Sequence, residues 1–100
     1  MTIGLLITRD GFSQDIIGLT KAAVNKGHQV ILFMMDDGAR HSQSKDVVAL
    51  KDIPGVTMSL CDHSAKLRDI TEGMIPEGCT AGSQYQNSVM NQDADKVLVI

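Results

Sequence analysis

The sequence is poor in aromatic residues and has no cluster of basic residues. It contains no Trp, one Tyr and two Phe among 100 residues, so the aromatic platforms on which nucleic-acid bases stack are missing. Its 9 Lys and Arg against 12 Asp and Glu give a formal net charge of -3, and the basic residues are scattered along the chain. We therefore expect no direct nucleic-acid binding and no attraction to an anionic membrane.

A long apolar segment and a basic leader are also lacking. The N-terminal apolar run extends only from Ile3 to Ile7, which is too short for a signal peptide or a membrane span. The chain has two cysteines, and in a leaderless chain these are expected to be reduced thiols. Together these features predict a cytoplasmic protein, and the length suits a single domain over residues 1–100.

What the sequence does contain is an alternation of strand and helix patterns. Apolar runs of the kind found in buried parallel strands occur at residues 3–7, 29–35 and 96–100, an alternating strand at 56–60, and a very short strand at 79–81. Helical patterns fall between them, at residues 13–25, 45–52, 62–74 and 83–92. This order predicts an α/β fold with a parallel sheet of four to five strands and helices on both faces.

The pattern also leads to specific predictions for two helix starts, one loop and one strand. Ser13 and Ser44 are expected to be the N-caps of the first two helices. Residues 39–44 are expected to form an exposed, mobile loop. The alternation in the strand at 56–60, with polar Thr57 and Ser59, predicts a place at the edge of the sheet or a face covered by another subunit.

Cys61 stands where the strand at 56–60 gives way to the next helix. The spacing of Leu67, Ile70 and Met74 predicts a helix that begins between residues 62 and 64. Free backbone N–H groups at a helix start favour an anion, so we expect a lowered thiol pKa and a nucleophilic or sulfur-carrying cysteine. The alternative is a buried cysteine that acts as a small hydrophobe.

The residues after Cys61 include candidates for a supporting role. His63 is either a cation or hydrogen-bond donor near the sulfur or a solvated residue of the first turn, and Ser64 is a second supporting candidate. A nearby Asp62 would raise the pKa of the thiol, whereas Lys66 and Arg68 would lower it. The sequence leaves this competition open.

Neither a cofactor site nor a metal site is predicted. The candidate metal ligands, which have no paired CxxC or HxxxH spacing, are Cys61, His63, Cys79, His28 and His41. The carboxyl ends of the parallel strands place three loops at one edge of the sheet, residues 8–13, 36–44 and 61–64. The first of these is a possible phosphate site, but it lacks a glycine-rich fingerprint.

In their order, these features resemble the DsrE/DsrF-like sulfurtransferase family, which includes the TusD subunit of the sulfur relay for tRNA thiolation. The resemblance covers nearly the whole chain and includes the strand that ends in VTMSLC at Cys61 and the helix SAKLRDI at residues 64–70. It continues with the IPEG turn at 75–78, the Gly82-Ser83 helix start and the ending DKVLVI. No single motif among them is diagnostic.

The resemblance implies a flavodoxin-like, three-layer α/β/α fold that assembles into homo- or hetero-oligomers, as trimers or hexamers. It also implies that Cys61 accepts sulfane sulfur as a persulfide and passes it to a TusA-like or DsrC-like carrier protein. Cys61 occupies the position of the family's active cysteine, whereas Cys79 matches no catalytic position.

Three functions remain open from the sequence. The first is a sulfur-trafficking subunit, acting as a sulfurtransferase through a persulfide on Cys61. The second is a non-catalytic scaffold or docking subunit of a sulfur-relay hetero-oligomer. The third is a small-ligand-binding flavodoxin-like module that uses the loop at residues 8–13.

Overall fold

The computed structural model describes all residues, 1–100, and contains one five-stranded parallel sheet with helices on both faces. The strands are β1 (Thr2–Ile7), β2 (Gln29–Met34), β3 (Val56–Cys61), β4 (Cys79–Gly82) and β5 (Lys96–Val99). The α-helices are α1 (Ser13–Asn25), α2 (Lys45–Val48), α3 (Asp62–Leu67) and α4 (Gln84–Asp93), with short 3-10 helices at Asp36–Gln43, Ala49–Asp52 and Glu72–Met74. None of the helices is long and apolar enough to cross a bilayer. The predicted α/β class and parallel sheet are confirmed.

The strand order across the sheet is β4-β3-β2-β1-β5. β3 pairs with β2 on one side and with β4 on the other, so its expected place at the sheet edge is wrong. The very short strand β4 occupies that edge instead. The polar residues Thr57 and Ser59 line an open cavity, where α4 covers their face of the sheet only in part. The other alternative, a face covered by another subunit, stays a prediction.

The two faces of the sheet are packed differently. One face holds the main core, in which strand residues such as Leu5, Leu32 and Leu60 pack with residues of α1, α2 and α3. The other face holds a small cluster of Phe33, Cys61 and Met90, the last from α4. α4 therefore crosses the second face alone, as it leads from β4 at one edge to β5 at the other.

The segment expected to be a mobile loop is a packed 3-10 helix, Asp36–Gln43, whose buried residues include Gly38, Ala39, His41 and Ser42. Gly38 lies against the main chain of Ile7, where a Cβ atom would collide with the Ile7 carbonyl oxygen. A ring nitrogen of His41 lies 2.9 Å from the Arg9 carbonyl oxygen. These long-range contacts hold the segment over the carboxyl ends of β1 and β2.

Two of the expected helix starts differ in detail. Ser13 is the first residue of α1 and not its N-cap, which is Phe12 in a left-handed conformation with φ 59°. Ser44 occupies the N-cap position of α2, but its side chain makes no capping hydrogen bond.

α3 is much shorter than its apolar spacing predicted. It ends at Leu67 because Asp69 takes a left-handed conformation, φ 59°, and the Ile70 N–H turns back to the Ala65 carbonyl at 2.9 Å. Leu67 is consequently 68% exposed, and the core residues of this segment are Ala65 and Ile70. The predicted stripe of Leu67, Ile70 and Met74 is wrong in two of its three members.

Candidate active site

Cys61 is the last residue of β3 and the N-cap residue of α3. It is only 5% exposed, and it lies at the wall of an open cavity of about 740 Å³ at the carboxyl ends of the strands. The cavity is lined by Met35, Asp36, Cys61, Asp62, His63, Ser64, Ala81, Gly82, Ser83, Gln84 and Gln86. The sequence therefore placed the cysteine correctly, at the strand-to-helix junction.

The pKa of the Cys61 thiol lies below its ordinary value of 9.0. Burial is the largest single influence and would raise the pKa. It is outweighed by hydrogen bonds from the Ser64 hydroxyl, the Ser64 N–H, the Gln84 side chain and the His63 N–H. The thiolate is thus stabilised by several neutral donors that converge on one sulfur atom.

The Ser64 hydroxyl is oriented toward the sulfur by the main chain of Asp36. The Asp36 N–H donates to Ser64 Oγ at 2.9 Å, which leaves the hydroxyl proton free to be donated to Cys61. Asp36 presents this N–H from a left-handed conformation with φ 51°. Arg68 holds the same turn, because it donates to the Ser64 carbonyl at 3.1 Å and to Asp37 Oδ1 at 2.9 Å.

Four charged residues near Cys61 form two ion pairs. Lys66 Nζ lies 2.9 Å from Asp62 Oδ2, and Arg68 Nε lies 2.9 Å from Asp37 Oδ1. None of these charges is among the main causes of the shifted pKa of Cys61. The sequence left open whether Asp62 or the basic residues would dominate the pKa of Cys61. In the structure the pKa is lowered by hydrogen bonds instead.

The two supporting candidates contribute in different ways. Ser64 is buried and acts through both its hydroxyl and its N–H, whereas the His63 side chain is exposed and only the main-chain N–H of this residue reaches the sulfur. The imidazole nonetheless lines the cavity.

Sequence reasoning missed Gln84, in the first turn of α4. A signal was available, because Ser83 and Gln86 form a capping box in which Ser83 Oγ accepts from the Tyr85 N–H at 3.1 Å and Gln86 Oε1 accepts from the Ser83 N–H at 2.7 Å. That motif directly follows β4, whose Gly82 lies beside Cys61 in the sheet. It brings a second helix start to the cavity.

Cys79 lies apart from this site. It belongs to the main core on the opposite face of the sheet from Cys61, and both cysteines are free thiols. Burial raises the pKa of Cys79 to about 11, with a smaller opposing effect of Lys51. At neutral pH it is a protonated thiol within the core.

The other candidate ligands do not converge. No group of three or more His, Cys, Asp or Glu side chains is placed to hold a metal ion. The loop at residues 8–13 does not line the cavity of Cys61. Of the three loops expected at this edge of the sheet, the second meets both others, through the contact between His41 and the Arg9 carbonyl and through the hydrogen bond between Asp36 and Ser64.

The fold and the cavity together define a small parallel α/β protein with a hydrogen-bonded cysteine at the carboxyl edge of its sheet. Its fold is DsrE-like: the chain superposes over 100% of its length, and 100% of the other chain, on the crystal structure of the YchN protein from E. coli, with a TM-score of 0.75 and 17% sequence identity. It also superposes on MTH1491 from Methanobacterium thermoautotrophicum, a protein of unknown function, with a TM-score of 0.74 and 14% identity over 99% of this chain and 98% of that one.

No protein-family model and no curated protein sequence matches the chain. The full-length superpositions on YchN and MTH1491 thus confirm, at the level of the fold, the DsrE/DsrF-like resemblance found in the sequence.

Proposed function

We propose that this chain is a sulfurtransferase subunit that carries sulfane sulfur as a persulfide on Cys61. The observation that carries the proposal is the set of donors around this sulfur, which lowers the pKa of its thiol in an open cavity. A persulfide carrier needs an ionised thiol, donors for a sulfur anion and access for a second thiol. The DsrE-like fold supports the same function.

The reaction is an exchange at sulfur. The Cys61 thiolate attacks the outer sulfur of a donor persulfide, R–S–SH, so that the S–S bond of the donor breaks, R–S⁻ leaves and Cys61–S–SH forms. A thiolate on an acceptor protein then attacks the outer sulfur of Cys61–S–SH. Cys61 leaves as a thiolate, and no external oxidant or reductant is consumed. A TusA-like or DsrC-like carrier is the proposed acceptor.

Mass spectrometry of the intact protein and of its peptides tests the proposal. Wild type, Cys61→Ser and Cys79→Ser are incubated with polysulfide or thiosulfate, with and without a thiol reductant. We expect a mass increase of one or more sulfur atoms on wild type and on Cys79→Ser, reversed by the reductant, and none on Cys61→Ser. Unmodified Cys61 in the folded wild type would refute the carrier role and favour the scaffold function.

Assembly into trimers or hexamers is part of the proposal. The apolar side chains of the edge strand β5 support it, because Leu98 is 45% and Val99 67% exposed on opposite faces of that strand, and a second copy of this chain would cover them. Sedimentation analysis of wild type and Val99→Glu tests this. We expect an oligomer that Val99→Glu dissociates and that the control Gln14→Glu, at an exposed residue of α1, leaves intact. A monomeric wild type would refute self-assembly.

We also propose a cytoplasmic location for a single domain that spans residues 1–100. A reducing compartment keeps both free thiols available, as persulfide exchange requires.

A further inference from the structure

We propose that Asn87 and Asn91 are positioning residues, which hold the side-chain amide of Gln84 with its NH₂ group toward the sulfur of Cys61. This inference rests on the proposed function, since it concerns the stabilisation of the sulfur anion at the same site. The residues are spaced at i, i+3 and i+7 along α4, so their side chains lie on one face of the helix.

The side-chain amides of Asn91, Asn87 and Gln84 are joined by hydrogen bonds that all run in one direction, and we call this chain the ladder. Asn91 Nδ2 donates to Asn87 Oδ1 at 2.9 Å, and Asn87 Nδ2 donates to Gln84 Oε1 at 3.1 Å. Gln84 Nε2 then lies 3.8 Å from Met35 Sδ, and Gln84, Met35 and Cys61 all line the same cavity. Each amide in the ladder thus donates to the next, and the last donates to Met35 Sδ at the cavity.

The direction of the ladder is fixed at its far end. A primary amide is able to turn over and exchange its donor with its acceptor, so an isolated Gln84 is free to place either end at the cavity. Asn91 Nδ2, however, also donates to the main-chain carbonyl of Asn87 at 2.8 Å. That carbonyl only accepts, so Asn91 is held with its NH₂ group inward, and the orientation of Asn87 and then of Gln84 follows from it.

The orientation of Gln84 matters because its two ends have opposite effects on a thiolate. An NH₂ group donates to the anion and stabilises it, whereas a carbonyl oxygen at the same place would repel it. Through these hydrogen bonds, the main-chain carbonyl of Asn87 determines that Gln84 presents its NH₂ group to Cys61.

The substitution Asn87→Asp tests the ladder with little change of shape. A carboxylate only accepts, so Gln84 must turn its NH₂ group toward the new carboxylate and its carbonyl oxygen toward the sulfur. We expect the pKa of Cys61, measured from the pH dependence of its alkylation by iodoacetamide, to rise by about one unit, the size expected for one lost charge-assisted hydrogen bond. Alkylation at pH 7 then slows about tenfold.

Two controls separate the ladder from a simple charge effect. Ser88→Asp adds the same charge at the neighbouring exposed residue, outside the ladder, and 1 M salt screens such a charge. Asn87→Leu removes the hydrogen bonds without adding charge and is expected to give a pKa between those of wild type and Asn87→Asp. The ¹⁵N and ¹H signals of the Gln84 side chain should titrate with Cys61 in wild type and lose this coupling in Asn87→Asp.

The outcomes distinguish this inference from the proposed function. Equal pKa changes in Asn87→Asp and Ser88→Asp at 1 M salt, or an unchanged pKa in Asn87→Leu, would overturn the ladder even when wild-type Cys61 carries sulfur. Absence of sulfur on Cys61 of the wild type would overturn the proposed function instead. Circular dichroism confirms folding of each variant, and Asn91→Leu, which removes the anchor of the ladder, is the second route to the same readout.

Discussion

Cys61 and Cys79 lie on neighbouring strands but face opposite sides of the sheet. Cys79 is level with Met58 on β3, and Cys61 is level with Gly82 on β4. Their sulfur atoms are thus separated by the sheet itself, and a disulfide or a direct transfer of sulfur between them is excluded by this geometry.

This separation predicts selective modification of one thiol. At pH 7.5 iodoacetamide should alkylate Cys61 and leave Cys79 unmodified in the folded protein, because the pKa of Cys61 is lowered while burial raises that of Cys79. Peptide mapping after a short exposure measures this. Both cysteines should react in urea, and labelling of Cys79 in the native protein would contradict the assignment.

The raised pKa of Cys79 also predicts a loss of stability at alkaline pH. From its ordinary value of 9.0 to the folded value of about 11, the unfolded chain releases the Cys79 proton while the folded chain retains it. The free energy of unfolding should therefore fall as the pH rises through this window, by about 3 kcal/mol in all. Urea unfolding of wild type and Cys79→Ala at pH 8.5, 9.5 and 10.5 measures the effect.

The difference in the free energy of unfolding between wild type and Cys79→Ala should narrow as the pH rises. For Cys61→Ala the difference from wild type should not narrow over the same range. The pKa of Cys61 is shifted downward, so its ionisation stabilises the folded state, and this contribution is fully present above the pKa of the unfolded chain. If the difference in the free energy of unfolding between wild type and Cys79→Ala stayed constant over this pH range, Cys79 would be accessible to water.

Loss of the Ser64 hydroxyl should weaken the nucleophile. Ser64→Ala removes the donor to Cys61 and also leaves the Asp36 N–H without its acceptor. We expect the pKa of Cys61 to rise by about one unit and its alkylation at pH 7 to slow about tenfold. Ser59→Ala is the matched control on β3, since Ser59 is not among the donors to the thiol, and equal effects of the two substitutions would argue against the role of Ser64.

Two glycines should respond in opposite ways to substitution by alanine. At Gly38 a Cβ atom would collide with the Ile7 carbonyl, so Gly38→Ala should lower the free energy of unfolding by about 3 kcal/mol. At Gly18, exposed on α1, nothing lies within 4 Å of the Cβ position, and Gly18→Ala should raise it by about 0.5–1 kcal/mol. Thermal or urea unfolding measures both, and a tolerated Gly38→Ala would contradict the packing of Asp36–Gln43 against β1.

The elements that the sequence predicted well are those determined by local pattern. The apolar runs identified the buried strands β1 and β2, and the change of period at Cys61 located the junction that forms the site. The main errors arose where tertiary contacts decide. The burial of Asp36–Gln43 depends on the approach of Gly38 to Ile7, which no local pattern records.

Gln84 was missed for a similar reason. Its capping box predicts a helix start, but only the pairing of β4 with β3 in the folded sheet brings that start beside Cys61. The apolar run at residues 96–100 is likewise less buried than its composition suggests: α4 is the only helix on its face of the sheet, and Val99 of β5 is 67% exposed there.

The position of β5 has a consequence for the order in which the chain folds. β1 stands between β2 and β5, so the first strand of the chain gains its second neighbour only when the last strand joins it, and such non-local pairing is slow. Gln84, in contrast, directly follows β4, so it reaches the thiol once β4 has paired with β3, independently of β5. The site around Cys61 should therefore form before the pairing of β1 with β5 completes the sheet.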